Sequence, residues 1–154
     1  MVEHERFESF LESLPECLPK HLVDLELENI KEGIPIIRKG GERLIRFMLE
    51  LKKPVNILEV GTATGFSALL MLEYIGKEAK ITTIERMEER AVKAAENFKQ
   101  YDKRGQITLI KGDALNVLSE LVVNGNEYDF IFMDAAKGQY INFFENIKKL
   151  LSYG

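Results

Sequence analysis

The chain has 154 residues, of which 45% are hydrophobic and 30% charged, a composition typical of one folded domain with a hydrophobic core. Its formal net charge of −4 argues against a sequence-wide attraction to nucleic acid, and no apolar run reaches the roughly 20 residues that span a bilayer. The single cysteine, Cys17, excludes an internal disulfide and favours a reducing, cytoplasmic compartment.

The first 53 residues are predicted to form a helical cap. Apolar residues at helical spacing predict three helices in it, with a loop from Gly33 to Gly41 between the second and the third. The three apolar stripes are Phe7, Phe10, Leu11 and Leu14; Leu22, Leu25 and Ile30; and Leu44, Ile45, Met48, Leu49 and Leu51.

From Pro54 onward the pattern changes to alternating strands and helices. The predicted strands cover 55–60, 81–84, 106–110 and 128–133, and the predicted helices cover 66–75, 87–101, 114–123 and about 139–151. The helix over 87–101 is expected to bury Val92, Ala95 and Phe98. This alternation predicts an α/β fold with a Rossmann-like, doubly wound parallel sheet over 54–154, joined to the cap in one structural domain.

The sequence ends at Gly154, directly after a predicted helix, where the alternation requires another strand. The strand over 128–133 is too apolar for an exposed edge. We therefore expect the C-terminal strands of the sheet to be missing from this chain. The alternative is that this edge pairs with a second subunit in a homodimer.

The segment from Ile57 to Gly65 is the first candidate for a ligand site. A strand that ends near Glu59 is followed by Gly61-x-x-x-Gly65 and a helix, and Gly61 allows the backbone to turn sharply and approach a ligand. The spacing is not the G-x-G-x-x-G of dinucleotide-binding proteins, which disfavours a nicotinamide-dependent dehydrogenase. Glu59 would repel a pyrophosphate but can pair with the amino group of a methionine-like ligand. The turn therefore predicts an S-adenosylmethionine site, and a tight turn without a ligand is the alternative.

Two further acidic residues follow the next two predicted strands. Glu85 can accept hydrogen bonds from both hydroxyls of a ribose, or it can cap the helix that begins near Arg86. Asp113 can bond an adenine amino group, or it can cap the helix that follows it. Because the carboxyl ends of parallel strands meet at one edge, Glu59, Glu85 and Asp113 are predicted to converge on one crevice.

Four segments together resemble the cation-dependent O-methyltransferases, the group that includes catechol and caffeoyl-CoA O-methyltransferases. They are Glu59–Ser67, Glu85, Gly112–Ala114 and Tyr128–Lys137, in which Asp134-x-x-Lys137 is the most discriminating pair. The resemblance covers most of the chain and implies a methyltransferase-type fold with S-adenosylmethionine as cofactor. The cofactor-binding residues it implies are Glu59, Gly61, Thr62, Gly65, Ser67, Glu85, Met87, Asp113, Ala114, Asp134 and Ile37.

The same resemblance places the chemistry at Asp134 and Lys137. It implies that Asp134 binds Mg²⁺ or a similar hard cation, which chelates two neighbouring oxygens of the acceptor. It also implies that Lys137 removes the proton of the acceptor hydroxyl. The alternative is an aspartate at a helix start and a solvated lysine.

The metal site implied by the family is incomplete in this chain. The family adds an Asp-Asn pair after the next strand, which would follow Gly154, and one carboxylate cannot hold Mg²⁺ well. We therefore expect residues 1–154 to bind the cofactor weakly and to show no efficient catalysis. Titration calorimetry that detected metal-dependent turnover by this chain would contradict the expectation.

A cluster of basic residues keeps other functions open. It consists of Arg38, Lys39, Arg43 and Arg46 and could meet a CoA thioester or a tRNA loop, although a solvated face is the preferred interpretation. The function hypothesis is therefore metal-assisted methyl transfer to a hydroxyl of a small catechol-like acceptor. The alternatives are a tRNA hydroxyuridine O-methyltransferase of the same fold and a non-catalytic cofactor-binding or assembly module.

Overall fold

The structure is a computed structural model that describes residue 10, residues 18–135 and residues 137–152. Most of the predicted helix around residues 7–14 lies outside these residues. The helices are α1 (Lys20–Lys31), α2 (Lys39–Lys52), α3 (Phe66–Leu72), α4 (Glu88–Tyr101), α5 (Ala114–Val123) and α6 (Tyr140–Leu150). The strands are β1 (Asn56–Val60), β2 (Lys80–Glu85), β3 (Ile107–Lys111) and β4 (Phe130–Met133), and a short 3-10 helix covers Lys137–Gln139.

The four strands form one parallel sheet in the order β3-β2-β1-β4. Successive side chains of a strand point to opposite faces. Ile57 of β1 belongs to a core cluster that includes residues of α1, α2, α3 and α4, whereas Leu58 belongs to a second cluster with residues of α5 and α6. Helices therefore cover both faces of the sheet, which confirms the predicted doubly wound α/β class.

The two described cap helices pack into the same core as the sheet, but partly through other residues than predicted. Leu22 and Leu25 of α1 are buried as expected, whereas Ile30 is 62% exposed and Asn29 takes the inward position. In α2, Ile45 and Leu49 are buried, and the remaining predicted core residues are exposed, namely Leu44, Met48 and Leu51. Both helices carry apolar residues on two faces, so their spacing alone did not identify the inward one.

Several predicted boundaries also change. Helix α2 begins at Lys39, so the loop after Gly33 is shorter than predicted, and α3 ends at Leu72 rather than at residue 75. In α4 the prediction for Val92 and Ala95 was wrong, because both are exposed. The inward face of α4 is formed by Ala91, Ala94 and Phe98. Helix α5 has the predicted bounds.

The segment that leads into β4 pairs with the end of the described chain. The Tyr128 N–H donates to the Leu150 carbonyl at 2.8 Å, and the Ser152 N–H donates to the Tyr128 carbonyl at 2.8 Å. Leu151 thus runs parallel to Tyr128 in an isolated bridge just before β4 begins. A dimer through this edge stays a prediction. In the part of the chain that the structure describes, every helix is too short or too polar to cross a membrane.

Candidate functional site

A crevice of about 360 Å³ opens at the carboxyl edge of the sheet. Its wall combines the turn after β1 with the residues that follow β2, β3 and β4, the usual position of ligands in open α/β sheets. Three acidic residues from three different strand ends line it, namely Glu85, Asp113 and Asp134. A wider cleft of about 610 Å³ lies at the opposite edge, near Val55 and Ala79, and contains none of these residues.

The turn between β1 and α3 folds closely onto the neighbouring strands. The N–H groups of Gly61 and Thr62 both donate to the Ile84 carbonyl at 3.1 Å. Gly61 has a φ of +104°, and a Cβ at this position would lie 2.6 Å from the Asp134 carbonyl oxygen. Only glycine fits this backbone and this contact, which agrees with the sharp turn predicted for it.

Glu85 connects this turn to the start of α4. Glu85 is 7% exposed, and its two carboxylate oxygens accept hydrogen bonds from the Ala63 N–H at 2.8 Å and the Met87 N–H at 2.9 Å. It does not cap a helix, because α4 begins at Glu88 and Met87 is the capping residue. Each oxygen of an ionised carboxylate has room for a second hydrogen bond, so Glu85 can still accept from a ribose.

Asp113 and Asp134 occupy the ends of β3 and β4. The Asp113 carboxylate accepts from the Leu115 N–H at 3.0 Å and thereby caps α5, so the predicted capping role is observed in a residue that also lines the crevice. Asp134 is exposed, and its N–H donates to the Val60 carbonyl at 3.0 Å. Lys137 begins the 3-10 helix that follows.

Glu59 lies beneath the turn and not in the wall of the crevice. It is fully buried, and the hydroxyls of Ser67 and Thr83 donate to its carboxylate. The Thr83 hydroxyl also lies 2.5 Å from the hydroxyl of Thr62. Burial, together with the nearby charges of Asp134 and Glu85, raises the pKa of Glu59 to about 7, although the hydrogen bonds from the two hydroxyls act in the opposite direction.

The crevice unites part of the predicted cofactor-binding set, namely Gly61, Glu85, Met87, Asp113, Ala114 and Asp134. The other predicted residues lie outside its wall: Glu59, Thr62 and Ser67 form the buried network, Gly65 packs under Phe98, and Ile37 packs against the core. Sequence reasoning missed lining residues that carry no motif of their own, namely Arg86, Arg90, Leu115, Gln139 and Phe143. The sequence could have indicated these residues only through their proximity to a strand end or to the start of the last helix.

The residues that the structure describes do not form a metal site by themselves. Across residues 18–135 and 137–152, no three His, Cys, Asp or Glu side chains lie close enough to hold a metal ion. Mg²⁺ prefers about six oxygen ligands in an octahedron, and Asp134 offers two at most.

Two residues of the predicted basic cluster, Lys39 and Arg46, are paired with acidic residues. The Lys39 ammonium lies 2.7 Å from the carboxylate of Glu26 and 3.2 Å from that of Glu42. The Arg46 guanidinium lies 3.0 Å from the Glu50 carboxylate and stacks over the Tyr74 ring. This pairing reduces the positive potential that a nucleic acid would meet.

The parallel sheet, the glycine turn after β1 and the acidic strand ends define a nucleotide-cofactor-binding α/β protein of the methyltransferase type. The chain matches the sequence profile of the O-methyltransferase family over residues 12–154, and it belongs to that family. The resemblance noted from the sequence motifs is thereby confirmed.

Individual relatives agree with this assignment. The chain is 33% identical over 136 residues to a caffeoyl-CoA O-methyltransferase of Stellaria longipes, covering 84% of this chain and 56% of the relative. It is 30% identical over 116 residues to a catechol O-methyltransferase of Niastella koreensis, covering 73% and 52%. The SAH-bound methyltransferase PaMTH1 of Podospora anserina superposes with a TM-score of 0.83 at 28% identity, covering 98% and 66%. The chain thus spans about half the length of the curated relatives it matches.

Proposed function

We propose that this protein transfers the methyl group of S-adenosylmethionine to a hydroxyl of a small catechol-like acceptor. The observation that carries the proposal is the crevice in which Gly61, Glu85 and Asp113 meet at the carboxyl edge of the sheet. The family membership supports the reaction, and the relatives named for caffeoyl-CoA and catechol support the acceptor class. When bound, the cofactor supplies an electrophilic methyl group on a sulfonium.

The residues of the crevice then have separate tasks in binding. The Glu85 carboxylate accepts hydrogen bonds from the ribose hydroxyls, and Gly61 lets the backbone approach the ligand without a side chain between them. Met87 and Ala114 provide apolar surface for the adenine, beside the Asp113 carboxylate. Positioning supplies most of the rate enhancement in such a transfer, because the methyl group is already reactive.

The acceptor side of the proposal rests on Asp134 and Lys137. We assign the removal of the hydroxyl proton to Lys137, three residues after Asp134, on the strength of the family resemblance. A divalent cation does not fit the described donor set, since Asp134 stands without two further ligating side chains near it among those residues.

Two alternative functions have less support. Methylation of a hydroxylated tRNA base would use the basic cluster, in which Lys39 and Arg46 already face carboxylates. A non-catalytic cofactor-binding or assembly role would require the same crevice. It differs from the proposed function only in that no methyl group is transferred.

Exchange of Glu85 for glutamine tests the cofactor site. The amide nitrogen of glutamine cannot accept a hydrogen bond, so one of the N–H groups of Ala63 and Met87 loses its partner and the ribose loses an acceptor. Isothermal titration with S-adenosylhomocysteine should show about tenfold weaker binding or more, since a hydrogen bond to a charged group contributes about 1.5–3 kcal/mol.

The matched control is Glu89→Gln, which alters an exposed glutamate in the first turn of the adjacent helix α4. Its affinity should equal that of the wild-type chain. An unchanged affinity in Glu85→Gln, or no binding of S-adenosylhomocysteine by the wild-type chain at millimolar concentration, would refute the proposal.

A further inference from the structure

Thr64, in the middle of the turn between β1 and α3, is held from two sides. Its buried hydroxyl donates to the side-chain oxygen of Asn29 on α1 at 2.7 Å. Its carbonyl accepts from the side-chain amide of Asn97 on α4 at 2.9 Å. One residue of the turn is therefore bonded both to the helical cap and to a helix of the α/β core.

The backbone around Thr64 needs such support. Ala63 has a φ of +48° and Gly65 a φ of +89°, so both neighbours of Thr64 occupy the left-handed region. A residue other than glycine in this region is strained and keeps the conformation only where its surroundings hold it there. Hydrogen bonds from Gly61 and Thr62 to β2 and from Ala63 to Glu85 hold the first half of the turn. Thr64 holds the second half.

Asn29 is an unexpected residue for its place in α1. It is fully buried on the face that carries Leu22 and Leu25, where an apolar residue would satisfy the packing. A buried amide is costly unless its groups are bonded, and here the nitrogen donates to the Leu25 carbonyl at 2.8 Å while the oxygen accepts from Thr64. The amide thus converts one position of an apolar helix face into a polar contact with the turn.

The ion pairs between residues 18–53 of the cap and α4 lie at the surface. The Lys93 ammonium lies 2.8 Å from the Glu28 carboxylate and 2.6 Å from that of Glu32, both flanking the end of α1. Exposed ion pairs of this kind contribute little and do not reach the turn. Among the described residues of α1, Asn29 is the one that makes a buried side-chain hydrogen bond to the turn, in addition to the apolar packing of α1 against α3.

We infer that Asn29 is a positioning residue, through which the helical cap holds the cofactor turn in its binding conformation. The inference rests on the proposed function, because it concerns the affinity for the same cofactor. Docking of α1 and cofactor binding are then coupled, and the coupling acts in both directions. Loss of the Asn29–Thr64 bond weakens cofactor binding, and a bound cofactor slows amide exchange in α1.

The experiment compares three variants at this contact. Thr64→Val removes the hydroxyl at nearly constant volume, and Thr64→Ser keeps it. Asn29→Leu combined with Thr64→Val replaces both partners by apolar groups, which restores much of the folding stability without restoring the bond. Titration with S-adenosylhomocysteine should show about tenfold weaker binding for Thr64→Val and for the double variant, and a change within about twofold for Thr64→Ser.

Gln106 provides the matched control for a general loss of stability. Its buried side-chain amide donates to the carbonyls of Gly76 and Ala79 at 2.9 and 2.8 Å, at the opposite edge of the sheet. Gln106→Leu should lower the unfolding temperature as much as Thr64→Val does and leave the affinity unchanged. Equal affinity losses in these two variants, or a double variant that binds like the wild-type chain, would overturn the inference.

Amide hydrogen exchange without any ligand separates this inference from the proposed function. Thr64→Val should accelerate exchange at residues 61–65 and leave the amides of β3 unchanged. If the wild-type chain does not bind S-adenosylhomocysteine, the proposed function fails, and the coupling to cofactor affinity fails with it. If binding is normal but exchange in the turn is the same in Thr64→Val and the wild-type chain, the inference alone fails.

Discussion

The Gly61→Ala variant is expected to lose cofactor binding and much of its folding stability. At a φ of +104° an alanine is strained, and its Cβ would lie 2.6 Å from the carbonyl oxygen of Asp134 and 3.0 Å from its carbonyl carbon. Both obstacles are backbone atoms, so a side-chain rotation cannot relieve the overlap. The turn must instead move away from β4, which displaces the wall of the crevice.

We expect the free energy of unfolding of Gly61→Ala to fall by about 3–5 kcal/mol, because backbone strain and overlap act together. Urea unfolding followed by circular dichroism measures this loss, and titration with S-adenosylhomocysteine should show no saturable binding.

Gly76→Ala is the control for a glycine replacement as such. A Cβ at Gly76 would meet no atom within 4 Å, and its φ is not in the left-handed region. Its stability should stay within about 0.5 kcal/mol of the wild-type value. If Gly61→Ala unfolded at the same urea concentration as Gly76→Ala, this result would contradict the close approach of the turn to the backbone that follows β4.

The second large effect concerns the pH dependence of stability through Glu59. Its pKa in the folded chain is about 7, above the value of 4.5 for an unperturbed glutamate, because the carboxyl is buried. Between these two values the folded state binds more protons than the unfolded state, so the free energy of unfolding decreases as the pH rises. The contribution is fully present below pH 4.5 and is lost by the time the pH has passed 7.

The wild-type chain should lose about 3 kcal/mol of stability from this group between pH 4.5 and 7, at about 1.4 kcal/mol per pH unit. Glu59→Gln carries no titrating group at this position and should lack this slope. The measurement is the difference in unfolding free energy between the two proteins at several pH values, because the other titrating groups then cancel.

Glu120→Gln, which changes an exposed glutamate on α5, serves as the control and should keep the wild-type slope. A stability difference between Glu59→Gln and the wild-type chain that stayed constant across this pH range would contradict the raised pKa of Glu59.

Much of the fold follows from local patterns in the sequence. The alternation of β-branched runs with helical stripes predicted the four strands and the helices between them, and the bounds of α5 agree with the prediction. Parallel strands place their carboxyl ends at one edge, so residues that directly follow a strand must gather there. For that reason the amino-acid sequence was enough to place Glu85 and Asp113 in one crevice, and Asp134 joins them at the end of β4.

The sequence was less successful in predicting which face of a strand or helix points into the core. The period of a strand puts Glu59 on the same face as Ile57, but the sequence did not show that α3 covers this face and buries the carboxyl. In α1, apolar spacing pointed to Ile30, whereas the inward position belongs to Asn29. Periodicity describes a single element, and it does not tell which neighbour covers which face.

The sequence by itself therefore determined the α/β class, the glycine turn and the set of acidic strand ends, because each depends on local backbone preferences and on the geometry of parallel strands. The tertiary structure alone decided that Glu59 is buried with a raised pKa and that Asn29 reaches Thr64. Both depend on contacts between residues distant in the chain, since desolvation and buried hydrogen bonds arise only when the helices pack on the sheet.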